Sequence, residues 1–141
     1  AIAFNNKPSY IRLGREKSWV FTTPETPFEI GRAEVLRAPS ASSGQADVAI
    51  VGCGILLYNA LVAAEELAKE QIDCMGINSH TVKPLDEKTI IEAAKKCGAV
   101  VSVEEHQING GLGSAVAECL SRNHPVPQEY IGVQNRFGES G

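Results

Sequence analysis

The sequence predicts an α/β domain: a three-layer sandwich with a mainly parallel sheet and one antiparallel edge strand. Three observations carry the prediction. Short apolar runs and stretches of helical apolar spacing alternate without exception from Asp47 to Val133. The runs Val48-Ala49-Ile50-Val51 and Ala99-Val100-Val101-Ser102-Val103 are continuous, as parallel strands buried on both faces are. Ahead of them, Phe28-Glu29-Ile30-Gly31-Arg32-Ala33-Glu34-Val35-Leu36 alternates apolar with polar residues, which suits a half-exposed strand joining the edge antiparallel. Crossovers between parallel strands are right-handed, so the intervening helices cover both faces of one sheet.

Taken in order, Ser9-Tyr10-Ile11-Arg12-Leu13 alternates and reads as a short strand that Gly14 ends. Residues 15–27, with Thr22-Thr23-Pro24-Glu25-Thr26-Pro27, read as an extended linker. So little chain precedes the first strand that it cannot own a core, and it is assigned to a preceding domain. The edge strand 28–36 follows, then the loop Pro39 to Gly44, then the buried run 48–51. Leu57, Leu61, Ala64 and Leu67 recur at helical spacing, with Glu65, Glu66, Lys69 and Glu70 towards water. Ile72 to Ile77 is the next strand. Asp86 is placed to cap a second helix with Ile90, Ile91 and Ala94 as its apolar stripe. Lys95 and Lys96 complement its dipole, and Gly98 stops it. After the strand 99–103, Leu112, Ala115, Val116, Cys119 and Leu120 mark a third helix, and Tyr130 to Val133 a last strand.

Length and composition bound the function. The 141 residues match one domain with a short extension, and 43% hydrophobic with 21% charged residues excludes disorder over most of the chain. The formal net charge is -4 and no Lys/Arg-rich run occurs, so no nucleic-acid footprint is expected. No apolar stretch is long enough to cross a bilayer, and the N-terminus lacks a signal-peptide pattern, so a cytoplasmic location without membrane contact is expected. Cys53, Cys74, Cys97 and Cys119 form no C-x-x-C pair and read as reduced, buried thiols. The absence of a leading Met and the loop-like end Phe137-Gly138-Glu139-Ser140-Gly141 are what a piece of a longer protein is expected to show.

Few motifs offer chemistry. Gly52-Cys53-Gly54 stands where a dinucleotide fingerprint would. Position 57 is Leu rather than the third glycine, and Asn78 and Ser79 replace the acidic residue, so a tight turn is expected. Asn109-Gly110-Gly111-Leu112-Gly113-Ser114 opens the third helix. It suits either an anion on exposed amides or a sharp turn against neighbouring backbone, and the lack of a following Lys favours the turn. Glu104-Glu105-His106 follows a buried strand at the carboxyl edge, where it serves either acid–base chemistry or a cluster holding the next loop. His80, His106 and His124 lack zinc spacing or a Cys partner, and a structural role is expected of each. Arg12 and Arg15 flank Gly14 at the end of the first strand, where a guanidinium suits bidentate phosphate recognition.

Together these stretches resemble the transketolase family, the thiamine-diphosphate-dependent enzymes. The resemblance rests on Tyr10-Ile11-Arg12-Leu13-Gly14-Arg15-Glu16, the stretch Phe28 to Leu36, and Thr81-Val82-Lys83-Pro84-Leu85-Asp86. It continues through Val103-Glu104-Glu105-His106, Gly110 to Glu118, and Arg136-Phe137-Gly138-Glu139-Ser140-Gly141. It is similar to the C-terminal section, including the kind encoded as a separate subunit. Deoxyxylulose-phosphate synthase and 2-oxo acid dehydrogenase β subunits fit less well, particularly at the Phe-Gly-Glu-Ser-Gly end.

The resemblance implies that residues 1–16 are the tail of a pyrimidine-binding domain, 17–27 a linker and 28–141 a transketolase C-terminal domain. It implies ketol transfer between sugar phosphates by the complete enzyme, with thiamine diphosphate and magnesium bound by polypeptide outside this chain. It transfers one site residue, Arg15, as a contact to the sugar phosphate, and no catalytic, cofactor-binding or metal-binding residue. The partners it implies are the remaining domains or an N-terminal subunit, in a homodimer or heterotetramer. Two other readings are a free-standing ligand-binding or regulatory module using the Gly110–Ser114 turn, and a pure assembly domain.

Overall fold

The computed structural model describes residues 6–15, 17–40 and 44–138. Within them the elements run β1 (Glu34–Arg37), β2 (Val48–Gly52), α1 (Leu56–Lys69), β3 (Cys74–Asn78), α2 (Glu87–Cys97), β4 (Val100–Gln107), α3 (Leu112–Asn123) and β5 (Gln128–Val133). The sheet order is β1-β3-β2-β4-β5, with β1 antiparallel and all other pairs parallel. This is the predicted architecture. The continuous apolar runs pack on both faces: Ala49, Val51, Met75 and Ile77 meet Ile90, Ala94, Leu112 and Val116 of α2 and α3. Ile50, Cys74 and Val103 meet Leu57, Ala60 and Ala64 of α1 on the other. Leu57, Ile77 and Ile90 are fully buried, each contributing about 1.5–3 kcal/mol relative to exposure.

The caps of α2 form as its sequence predicts. Thr89 N–H donates to Asp86 Oδ1 at 3.1 Å and its hydroxyl to Oδ2 at 2.8 Å. Gly98 closes the helix in the left-handed region at φ 70, its N–H on the Ala94 carbonyl at 2.8 Å. Asp86 also accepts from Ala33 N–H at 2.9 Å, and thereby ties the edge segment to α2. The other end of β1 is held by Arg37, 2.9 Å from Asp73 and also bonded to the Cys74 carbonyl.

Three expectations about strands are corrected. Residues 9–13 form no strand among the described residues: Tyr10 is 87% exposed and Leu13 83%, with no neighbouring strand to pair their amides. The edge strand spans Glu34–Arg37 rather than 28–36. Its predicted first half is instead a turn, closed by Arg32 N–H on the Glu29 carbonyl at 3.1 Å, with Gly31 at φ 83. β4 runs past Val103 to Gln107, so Glu104, Glu105 and His106 lie within a strand rather than after it. The linker of residues 17–27 is irregular but not free, because Trp19 stacks on Tyr58 of α1 with centroids 5.1 Å apart and Phe21 packs against the α1-side core.

Candidate functional site

In an open parallel sheet, ligands sit at the carboxyl ends of the strands, beside the point where the crossovers change side. Here that point lies between β2 and β4, because α1 and α2 leave to opposite faces. Gly52, Cys53, Glu104 and the Asn109–Ser114 turn gather there.

Glu104 is 3% exposed. Its Oε2 accepts from Leu112 N–H and its Oε1 from Gly113 N–H, both at 2.8 Å, so one carboxylate meets two otherwise unpaired amides of α3. The glycine pair makes this possible in two ways. Gly110 turns the chain in the left-handed region at φ 80. Gly111 leaves room, since a Cβ there would stand 2.6 Å from the Glu104 carboxyl carbon. The position an external phosphate would take at this helix is filled by the chain's own side chain, and the acid–base reading of Glu104 loses its free oxygens. His106 Nδ1 lies 3.8 Å from Glu104 Oε2 and donates to the Gln107 carbonyl at 2.8 Å, while its side chain stays 61% exposed.

Gly52-Cys53-Gly54 is the expected tight turn. A Cβ at Gly52 would meet Leu57 at 2.9 Å, and Gly54 adopts φ 70. Burial, reinforced by the negative charge of Glu104, pushes the Cys53 thiol up to about 11, so at neutral pH it is a thiol without nucleophilic character. Cys74, Cys97 and Cys119 are buried and, like Cys53, free. At the end of β3, His80 Nε2 donates to the Glu29 carbonyl at 3.1 Å and its ring rests on Phe28 at 4.7 Å. His124 follows α3, far along the chain from these groups, its N–H on the Leu120 carbonyl.

Arg15 and Arg12 are exposed and form no ion pair among the described residues, and the structure brings neither to the Glu104 cluster. Among the described residues no three His, Cys, Asp or Glu side chains converge to hold a cation. Among the described residues, the side chains therefore do not supply the carboxylate cluster that magnesium and a cofactor's diphosphate would need.

That Glu104 is the anion of its own helix was open to a sequence signal: an acidic residue inside an apolar strand needs a partner, and the Gly-Gly turn that supplies one follows six residues later.

The family described as Transketolase, C-terminal domain matches residues 38–141. The chain is 44% identical over 140 residues to the 6-deoxy-6-sulfo-D-fructose transketolase subunit SqwH of Clostridium sp. (strain MSTE9), spanning 99% of this chain and 42% of that protein. It is 41% identical over 126 residues to Transketolase-like protein 2 of Homo sapiens, spanning 88% of this chain and 19% of that one. A solved structure, "Split gene transketolase, inactive beta4 tetramer", superposes with a TM-score of 0.84 at 43% identity, over 92% of this chain and 41% of that chain. The chain thus spans less than half the length of these relatives. On this match, these identities and this shared fold, the chain belongs to the transketolase family as a C-terminal piece.

Proposed function

We propose that this chain works as the C-terminal section of a complete transketolase, which transfers a two-carbon ketol unit between sugar phosphates using thiamine diphosphate and magnesium. Its own contribution is scaffold, assembly surface and one phosphate contact. The observation that carries this reading is Glu104. The buried carboxylate at the sheet's carboxyl edge is held on both oxygens by α3 and is closed to a substrate.

The division into 1–16, 17–27 and 28–141 is supported by the irregular path ahead of β1. Tyr10, Ile11, Leu13, Val20, Phe28 and Ile30 are each more than half exposed there. An apolar run of that kind suits contact with further polypeptide, the remaining domains or an N-terminal subunit in a homodimer or heterotetramer. Arg15 is exposed and presents a guanidinium fork suited to a sugar phosphate. The reading is tested by assaying ketol transfer with the purified chain, then with the chain combined with the remainder of the enzyme. Activity only in the combination is expected, and turnover by the chain alone overturns it.

A further inference from the structure

We propose that Asn109–Gly110 is a site of spontaneous covalent modification, deamidation through a cyclic imide, and that the Ser114 hydroxyl sets its rate, a property independent of the transketolase assignment. The chain contains a single Asn-Gly pair, at 109–110. It lies exposed in the turn between β4 and α3, with Gly110 in the left-handed region at φ 80. The Asn109 side-chain amide makes no hydrogen bond among the described residues. A following glycine carries no Cβ to keep its amide nitrogen away from the asparagine side chain. Asn78-Ser79, whose second residue is also small, is closed to the same chemistry because both residues are buried.

The reaction needs only water. The Gly110 amide nitrogen gives up its proton to solvent and attacks Asn109 Cγ. The bond from Cγ to the side-chain nitrogen breaks, and that nitrogen leaves as ammonia with a proton from water. Water then opens the five-membered imide at either carbonyl. Opening at Cγ gives aspartate on an unchanged backbone. Opening at the Asn109 main-chain carbonyl gives isoaspartate, in which the backbone runs through the former side chain. One water enters, one ammonia leaves, and nothing is oxidised or reduced.

The fold holds the nucleophile back. Gly110 N–H donates to Ser114 Oγ at 2.8 Å, and Ser114 Oγ donates to the Ile108 carbonyl at 3.1 Å. Ser114 is half-buried in the first turn of α3, whose neighbouring amides Glu104 fixes. The Gly110 nitrogen cannot shed its proton or turn onto Asn109 Cγ until the bond to Ser114 opens. A single neutral hydrogen bond slows such a step by about three- to tenfold and does not stop it. Isoaspartate then lengthens the turn by one backbone carbon. Gly111 offers no slack for this, since a Cβ there would already stand 2.6 Å from the Glu104 carboxyl carbon. The isoaspartate form therefore draws the first amides of α3 off Glu104, and the aspartate form does not.

The chain, Ser114→Ala and Ser114→Thr, each checked for folding by circular dichroism, are incubated in mildly alkaline buffer. Mass spectrometry of the peptide carrying Asn109 follows conversion of amide to acid, and isoaspartate is identified by enzymatic methyl transfer to its carboxylate. Slow conversion at Asn109 is expected in the folded chain, about three- to tenfold faster conversion in Ser114→Ala, and the native rate in Ser114→Thr, which keeps the hydroxyl. The isoaspartate form should unfold at lower urea than the Asn109→Asp variant. An unconverted Asn109 in the folded chain, when guanidinium-unfolded chain is fully converted, overturns the site. Equal rates in the chain and Ser114→Ala overturn the role of Ser114, as does a Ser114→Thr rate as high as that of Ser114→Ala. Should Ser114→Ala fail to fold, equal rates for the native and the guanidinium-unfolded chain overturn it instead. An isoaspartate form as stable as Asn109→Asp overturns the loosening of α3.

Discussion

Replacing Gly111 by alanine adds one methyl group where the Glu104 carboxylate sits. The Cβ would stand 2.6 Å from the carboxyl carbon and 2.7 Å from Oε1, distances that van der Waals radii forbid. The backbone itself offers no objection, since Gly111 has φ -94 and ψ -155, an extended conformation open to any residue. The carboxylate must therefore leave, or the first turn of α3 must move, and either change breaks the bonds to Leu112 and Gly113 N–H. Both residues are buried, so water does not replace the lost acceptor. Two charge-assisted hydrogen bonds at about 1.5–3 kcal/mol each give an expected loss of about 3–5 kcal/mol after partial relaxation. That is a large share of the roughly 5–15 kcal/mol that holds a domain folded. Gly110→Ala next door meets no atom within 4 Å but must take φ 80, so its loss should be about 1–2 kcal/mol. Urea unfolding followed by circular dichroism measures both, together with Glu104→Ala and the Glu104→Ala/Gly111→Ala pair. If the clash is with the carboxylate, the double variant is no less stable than Glu104→Ala alone. Additive losses, or a Gly111→Ala loss no larger than that of Gly110→Ala, would refute the reasoning.

Asp73 hydrogen-bonds Arg37 and accepts from Ser40 N–H, and these hold its carboxyl at about 2 against an ordinary 3.8. Its contribution is therefore complete above the ordinary value and lost as pH falls from about 4 towards 2, and Asp73→Asn should flatten the acid limb of a stability–pH curve. At Asp86, burial raises the carboxyl, but hydrogen bonds from Ala33 and Thr89 outweigh it and leave the group lowered. Asp86→Ala, which removes both the α2 cap and the Ala33 tether, should destabilise by about 2–3 kcal/mol in urea unfolding. His80→Ala and His106→Ala in the complete enzyme should lower the unfolding temperature more than turnover, and folded variants with abolished turnover would contradict this. Arg15→Ala in the complete enzyme should weaken phosphorylated sugars by about 1.5–3 kcal/mol, read as a raised KM. An unchanged KM for all of them would remove its assigned role.

What the sequence determined by itself was whatever depends on residues a few positions apart. The continuous runs at 48–51 and 99–103 marked buried parallel strands, and Asp86 and Gly98 bounded α2, because a cap or a stripe closes within a turn or two of chain. The turn chemistry of Gly52-Cys53-Gly54 was legible for the same reason. Contacts between distant segments were set only on folding. Residues 9–13 carry a strand's alternation, yet a strand exists only where another one pairs its amides. Gly31 bends away the first half of the predicted edge strand against Thr81, fifty residues on. Trp19 finds Tyr58, Glu34 comes to stand beside Asn78, and Glu104 closes on α3 through packing that no local pattern encodes. Periodicity records which face of an element is apolar; the partner that each polar group meets on that face is settled when the elements stack.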